Sequence, residues 1–280
     1  MPNDIIFNLA FLSQVAFISI WLPWKMRKKA QQIILEHPIN DYPKLYPRSL
    51  CWYESALNKF TFMNAAIALT GLFFWVVYNI DRTNEDYTGV VWAVFMLQNL
   101  PYLLLEFFIF QTWKKMRESD QRKTRKASLR PRRISDIIDT SLLVSLVLVF
   151  VIFCFFIYWI GQFNHPWFGG VTNIVIIAAT YIFMGGIVAW NFYGRSKDPY
   201  MDEEDKIYRI RHLTKQFFII CISITLYAMV TISLQVFDLD AYRQLAMTIY
   251  CQILVAGYYL TIYRQKGFNF EVYRDEAVAV

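Results

Sequence analysis

Charge is scarce in this sequence. Only 18% of its 280 residues are Asp, Glu, Lys or Arg, while 56% are hydrophobic. Soluble domains carry about 25% charge, so a chain of this make-up is not built for water alone. Cysteine is scarcer still. Cys51, Cys154, Cys221 and Cys251 stand far apart, and three of them lie inside apolar runs. That spacing excludes a disulfide framework or a Cys-based zinc site and reads as small hydrophobic residues. The three histidines, His37, His165 and His212, fall in separate loops, so no metal site is expected. No Asn-x-Ser/Thr sequon occurs, which favours a bacterial inner membrane over a glycosylated cell surface. A phosphate-binding loop, a His-Glu-x-x-His and a Gly-x-Ser-x-Gly are also missing. No cofactor is expected, and an enzyme is the least favoured class.

What the sequence has instead is long apolar runs. They come in blocks of roughly 20 residues, the number that crosses about 30 Å of hydrocarbon at 1.5 Å per residue. The blocks lie at about 5–24, 60–78, 90–113, 137–160, 171–192, 217–237 and 242–263. The expected fold is an all-α membrane protein of about seven transmembrane helices, forming a single polytopic domain over residues 1–280.

The basic residues fix its expected orientation. Lys25, Arg27, Lys28 and Lys29 follow the first block, and only Asp4 precedes it with a charged side chain. The inner loops are then 25–59, 114–136 and 193–216, with net charges of +4 for the first and +1 for the last. Residues 114–133 hold ten bases, Lys114, Lys115, Arg117, Arg122, Lys123, Arg125, Lys126, Arg130, Arg132 and Arg133, against Glu118 and Asp120. Outer loops are neutral or acidic. The bias toward basic cytoplasmic loops therefore places the N-terminus outside and the C-terminus in the cytoplasm. Trp21, Trp24, Trp75, Trp92, Trp113, Trp159 and Trp190 fall near span ends, as an interfacial belt requires. The overall charge of +6 is explained by these loops, so nucleic acid is not an expected partner.

After the first span the chain reads as three hairpins, each with a short outer turn and an aromatic exit followed by bases. They suggest a repeat, although any hairpin with basic inner loops would share that plan. The basic loop has the composition that binds anionic lipid headgroups on the cytoplasmic side. The segment His37-Pro38-Ile39-Asn40-Asp41-Tyr42-Pro43-Lys44-Leu45-Tyr46-Pro47 has three prolines that prevent a continuous helix. Its Tyr42 and Tyr46 make it a candidate docking loop for a cytoplasmic protein. A homo-oligomer is a further expected form of partnership.

One stretch within the membrane carries polar groups in series. Gln98, Tyr102 and Glu106 are spaced i, i+4, i+8 and read as one helix face, with Asn99 beside them. Pro101 cannot donate to the Leu97 carbonyl. Glu106 lies about 10 Å inside the inner interface, counted back from Trp113 at 1.5 Å per residue. An intramembrane carboxylate is by default a functional candidate. Tyr181 and Gln252 sit at matching depth in their own hairpins. The first functional expectation is thus a transporter or pore passing a cation, proton or small solute along Gln98, Asn99, Tyr102, Glu106, Tyr181 and Gln252. The alternative is a non-transporting sensor or scaffold working through loops 25–59 and 114–133.

Seven spans with an outer N-terminus match G-protein-coupled and rhodopsin-type receptors in number only. Span three ends in Thr112-Trp113-Lys114 rather than Asp-Arg-Tyr, and span seven has neither Asn-Pro-x-x-Tyr nor a lysine for retinal.

Overall fold

The computed structural model describes residues 2–80, 88–120, 137–163, 165, 167–194, 198–259 and 269–274. Helix α1 (Pro2–Val15) passes through a π-helical turn, Ala16–Trp21, into α2 (Leu22–Glu36). Then follow α3 (Leu50–Ile80), α4 (Thr88–Ser119), α5 (Thr140–Gly161), α6 (Val171–Tyr193), α7 (Glu203–Val236) and α8 (Arg243–Tyr258). Single 3₁₀ turns occupy Pro43–Leu45, Asp240–Tyr242 and Phe270–Tyr273, and the described residues contain no strand.

Among the described residues, six stretches are long and apolar enough to cross a membrane: Ile5–Glu36, Leu50–Ile80, Thr88–Ser119, Thr140–Gly161, Val171–Tyr193 and Glu203–Val236. By length and composition the chain is a multi-pass α-helical membrane protein. The described part of α8 has 16 residues.

Several helices outrun their apolar blocks, because hydrophobicity does not set helix ends. The first span continues to Glu36 through Lys25, Arg27, Lys28, Lys29, Gln31 and Gln32, all good helix formers. It stops where Pro38 makes continuation unfavourable. Helix α7 begins fourteen residues before the expected span start at 217. Asp202 accepts the Glu203 N–H at 2.7 Å, and Glu203, Glu204 and Asp205 complement the dipole of its first turn. Asp139 caps α5 in the same way, accepting from Ser141 N and Ser141 Oγ at 3.3 and 2.8 Å.

The chain forms two compact units. One takes most of α1, the π turn, α2, α3 and α4, together with residues around Asp198–Lys206 and Asn269–Arg274. Here α3 packs on α4 and on the π turn. Close approach needs a glycine at one point: a Cβ on Gly71 would lie 3.0 Å from Val15 Cγ2 and 3.7 Å from Val94 Cγ1. The far ends of α1 and α3 are tied by Asn8, which donates to Asn79 Oδ1 at 3.0 Å and accepts from Trp75 Nε1 at 3.1 Å. Toward the other end Arg27 donates to Thr61 Oγ1 and Asn58 Oδ1 at 3.0 and 2.9 Å.

The other unit comprises α5, α6, α8 and α7 from Ile207 onward. Phe153, Ile157 and Ile177 form its core with Ile224 and Ala228. A second cluster joins Ile137, Phe192 and Ile210, beside an ion pair of Lys215 Nζ with Asp139 at 3.4 Å. Helices α7 and α8 meet through Tyr227 and Tyr250, whose rings stack at 4.2 Å. Gly257 lets α8 approach Ile219.

Candidate functional site

Two regions gather the polar and aromatic residues that the sequence singles out. The first is the seam between the first helix and α4. Gln14 Nε2 donates to Gln98 Oε1 at 3.0 Å, and Gln98 Nε2 donates to Ser19 Oγ at 3.1 Å. All three side chains are buried. Carboxamides do this well, having one donor end and one acceptor end to pass a hydrogen-bond chain along.

One turn further along α4, Tyr102 OH donates to the backbone carbonyl of Ile18 at 2.6 Å. The reason for this bond is legible in the backbone. In the π turn, Leu22 N–H pairs with Phe17 O, five residues back. The next carbonyl in that register, Ile18 O, would need the N–H of residue 23. Residue 23 is proline and has none. Tyr102 supplies the missing donor. The widened turn also relieves the crowding that a proline ring imposes on the preceding turn.

Glu106 does not join this seam. Each step of four residues turns a helix about 40° past a full revolution, so Glu106 lies about 80° round α4 from Gln98. Gln98 is 0% exposed, Tyr102 half-buried and Glu106 exposed. Asn99 turns back onto its own helix, donating to Phe95 O at 2.7 Å. Tyr181 lies in the other unit and bonds Thr225 Oγ1 at 2.8 Å. Because Thr225 donates its own proton to Cys221 O at 2.8 Å, Tyr181 is the donor of the pair. Gln252 is half-buried on α8.

Sequence reasoning passed over two members of the seam, Gln14 and Ser19, as well as Asn64. Asn64 is buried on α3 and donates to Phe60 O at 2.8 Å. The signal available was a lone polar residue within each apolar block. Gln14 Oε1 and Asn64 Oδ1 are buried acceptors without a hydrogen-bond partner.

The second region is an aromatic clasp outside the apolar blocks. Tyr42, Tyr46, Met116 and Tyr273 form a buried cluster with Trp113, Tyr200 and Phe270 around it. Tyr273 is 1% exposed and its phenol donates to Asp198 Oδ2 at 2.6 Å. Asp198 Oδ1 accepts the Tyr200 N–H at 2.9 Å. Tyr42 OH donates to Glu271 Oε1 at 3.0 Å, and Lys44 Nζ donates to Arg274 O at 3.1 Å. Asn269 N–H donates to Asp205 Oδ2 at 3.0 Å. The His37 ring stacks on Phe270 at 4.1 Å and meets Tyr42 edge-on at 4.8 Å. Arg48 covers Trp52 at 4.4 Å and donates to Gln111 Oε1 at 3.2 Å.

Tyr42 and Tyr46 are thus packed against this chain's own residues 270–273. Their chemistry follows from that. The hydrogen bond to Glu271 is the largest cause that raises Tyr42, with burial next. Burial pushes Tyr46 up to about 12. Of the basic candidates, Lys114, Lys115 and Arg117 are exposed on the last turns of α4. Arg122, Lys123, Arg125, Lys126, Arg130, Arg132 and Arg133 lie outside the described residues.

All four cysteines are free thiols. Among the described residues, no group of His, Cys, Asp or Glu is placed to hold a metal ion. No protein-family model matches this chain, and no curated protein or solved structure matches it.

Proposed function

We propose that this multi-pass membrane protein docks a cytoplasmic protein at its clasp rather than passing a solute. One observation carries the reading: three chain segments far apart in sequence converge on one shaped, hydrogen-bonded surface. Residues 37–46 and 198–205 form the receiving side, and residues 269–274 lie against it. A loop that merely joined two spans would need no such convergence.

The same convergence supports seven crossings. Asp198 and Tyr273 touch, and α7 and α8 lie between them in sequence. A chain that leaves this side through α7 must return through α8 to reach Asp198 again. Four helices, α3 to α6, likewise separate Tyr42 from Asp198. With the basic loops inside, the clasp faces the cytoplasm.

Transport draws less support. The polar side chains of the seam are engaged in helix–helix and backbone bonds, the use such groups most often have between membrane helices. A second reading keeps a polar path on one specific observation, the unpartnered acceptors Gln14 Oε1 and Asn64 Oδ1.

One assay separates the two. Purified protein in phosphatidylcholine–phosphatidylglycerol liposomes is tested for proton, sodium and potassium flux between pH 5 and 8. Docking predicts flux equal to protein-free liposomes. It also predicts that a photo-crosslinker at exposed Pro43 captures one cytoplasmic protein in cells, and that deleting residues 38–47 removes the capture. Flux that disappears in Gln14→Leu or Asn64→Leu would retire docking in favour of the path.

A further inference from the structure

The clasp has an occupant, and that occupant is a short linear segment. Among the described residues, the tail contributes Asn269 to Arg274. Each segment of the receiving surface, by contrast, has bonds of its own in which the tail takes no part. Tyr42 N–H and Leu45 N–H close turns onto Pro38 O and Tyr42 O at 3.0 Å each. Tyr46 OH donates to His37 O at 2.8 Å, and Tyr200 N–H fixes Asp198. Each receiving segment is therefore fixed by bonds of its own, as the walls of a binding groove need to be.

The tail has the form of a recognition turn. Asn269 caps it, accepting the Glu271 N–H at 3.1 Å. Phe270–Tyr273 is a 3₁₀ turn, with three residues per revolution. Phe270 and Tyr273 consequently project from one side, into the aromatic cluster. Glu271 and Arg274 fall together on another and pair at 3.4 Å. The groove reads four things: an aromatic ring on His37, a carboxylate at Tyr42, a phenol at Asp198 and a backbone carbonyl at Lys44. All four are features that a free peptide can present.

We infer that the clasp is a peptide-binding groove for an aromatic–acidic–x–tyrosine turn, and that Phe270–Arg274 fills it in cis as a built-in competitor of the docked protein. The inference rests on the docking reading and names the chemistry of its partner. A segment on the same chain acts at an effective concentration on the order of millimolar. A partner must therefore present the same turn with higher affinity, or at a surface that adds contacts, before it displaces the tail. The protein then rests closed and opens only to a matched partner.

The test uses the full chain in lipid nanodiscs. The tail is released by Phe270→Ala with Tyr273→Ala. The probe is a fluorescein-labelled peptide of the native sequence of residues 268–275. The released variant is expected to bind the peptide saturably, and the wild type at least about tenfold more weakly because its tail competes. Replacing the tyrosine of the peptide by phenylalanine, or adding Asp198→Asn to the released variant, is expected to weaken binding about tenfold, the cost of a lost hydrogen bond to a charged group.

A released variant that inserts and melts as a folded protein yet takes no peptide overturns the inference, as does equal binding by the wild type. If the released variant does not fold, the wild type decides. Millimolar peptide must then make residues 269–274 cleavable by added protease, and unchanged protection overturns the proposal. The liposome assay is independent of these readouts. Peptide binding together with ion flux retires docking as the function and leaves the groove. Absence of both binding and flux retires the groove alone.

Discussion

Tyr102 gives Ile18 the hydrogen-bond donor that Pro23 cannot. The bond is 2.6 Å long and joins residues 84 apart in sequence. It links three features that would each be unfavourable alone: a π turn, a proline within a membrane helix and a tyrosine hydroxyl between helices. A buried carbonyl left without a donor costs about 1–3 kcal/mol.

Tyr102→Phe is therefore expected to destabilise the protein by about 1–3 kcal/mol. Pro23→Ala restores a backbone N–H at the missing position. In that background the cost of Tyr102→Phe should fall by at least half. A double-mutant cycle of unfolding in mixed micelles measures the coupling. Equal costs in both backgrounds would show that Tyr102 does not serve the carbonyl freed by Pro23.

The Gln14–Gln98–Ser19 chain makes a second prediction. Gln98→Leu removes the partner of Gln14 Nε2 and leaves a buried amide exposed to hydrocarbon. Interhelical hydrogen bonds in membranes are worth about 0.6–2 kcal/mol. The single substitution should cost at least that much. The Gln14→Leu, Gln98→Leu pair should cost less than the sum, because no buried amide is then stranded. Strict additivity in the same unfolding assay would contradict the hydrogen bond between the pair.

Gly71 sets how near α3 comes to the first helix. A Cβ there meets Val15 Cγ2 at 3.0 Å, and valine in a helix has little rotamer freedom to yield. Gly71→Val should cost about 1–3 kcal/mol by overpacking. Val15→Ala should recover much of the loss by opening the space. A neutral Gly71→Val would show that the two helices can part without cost.

The clasp should withstand alkali and then fail. Tyr46 titrates near 12, pushed there by burial, and Tyr42 is also raised, first by its bond to Glu271. A tyrosine whose folded pKa lies above its unfolded value of about 10 favours folding while the phenol stays neutral. That contribution is complete below about pH 10 and disappears as pH rises through the folded value. Phenolate absorbance near 295 nm should show fewer early-titrating tyrosines in the wild type than in the unfolded chain, with Tyr42 and Tyr46 among those delayed. Tyr46→Phe should shift the release of residues 269–274, followed by proteolysis, to higher pH. Early titration of Tyr46 with the rest would refute its burial in the clasp.

How much of this was legible beforehand varies from residue to residue. The spans at 90–113 and 171–192 are recognisable because apolar length alone drives a helix into lipid, whatever its neighbours. The end of the first helix at Glu36 could also be read, from Pro38. The start of α7 at Glu203 was hidden, since a cap by Asp202 is a local signal within a polar loop. Glu106 drew attention as a charged residue in an apolar block. Its rotation off the seam follows only from knowing which face of α4 is covered. Gln14 was passed over because a single glutamine says nothing without its partner.

That this chain spans a membrane many times, which loops carry its basic charge, and which segments resist a helix are all set locally along the chain. These properties depend on local composition and on the transfer of side chains and backbone into hydrocarbon. Which polar groups meet is instead a matter of how the helices pack. Gln14 finds Gln98, Ile18 finds Tyr102, and Tyr42 finds Glu271 across 229 residues. Hydrogen bonds act within about 3 Å, and no spacing along the chain reveals which distant residues packing will bring that close.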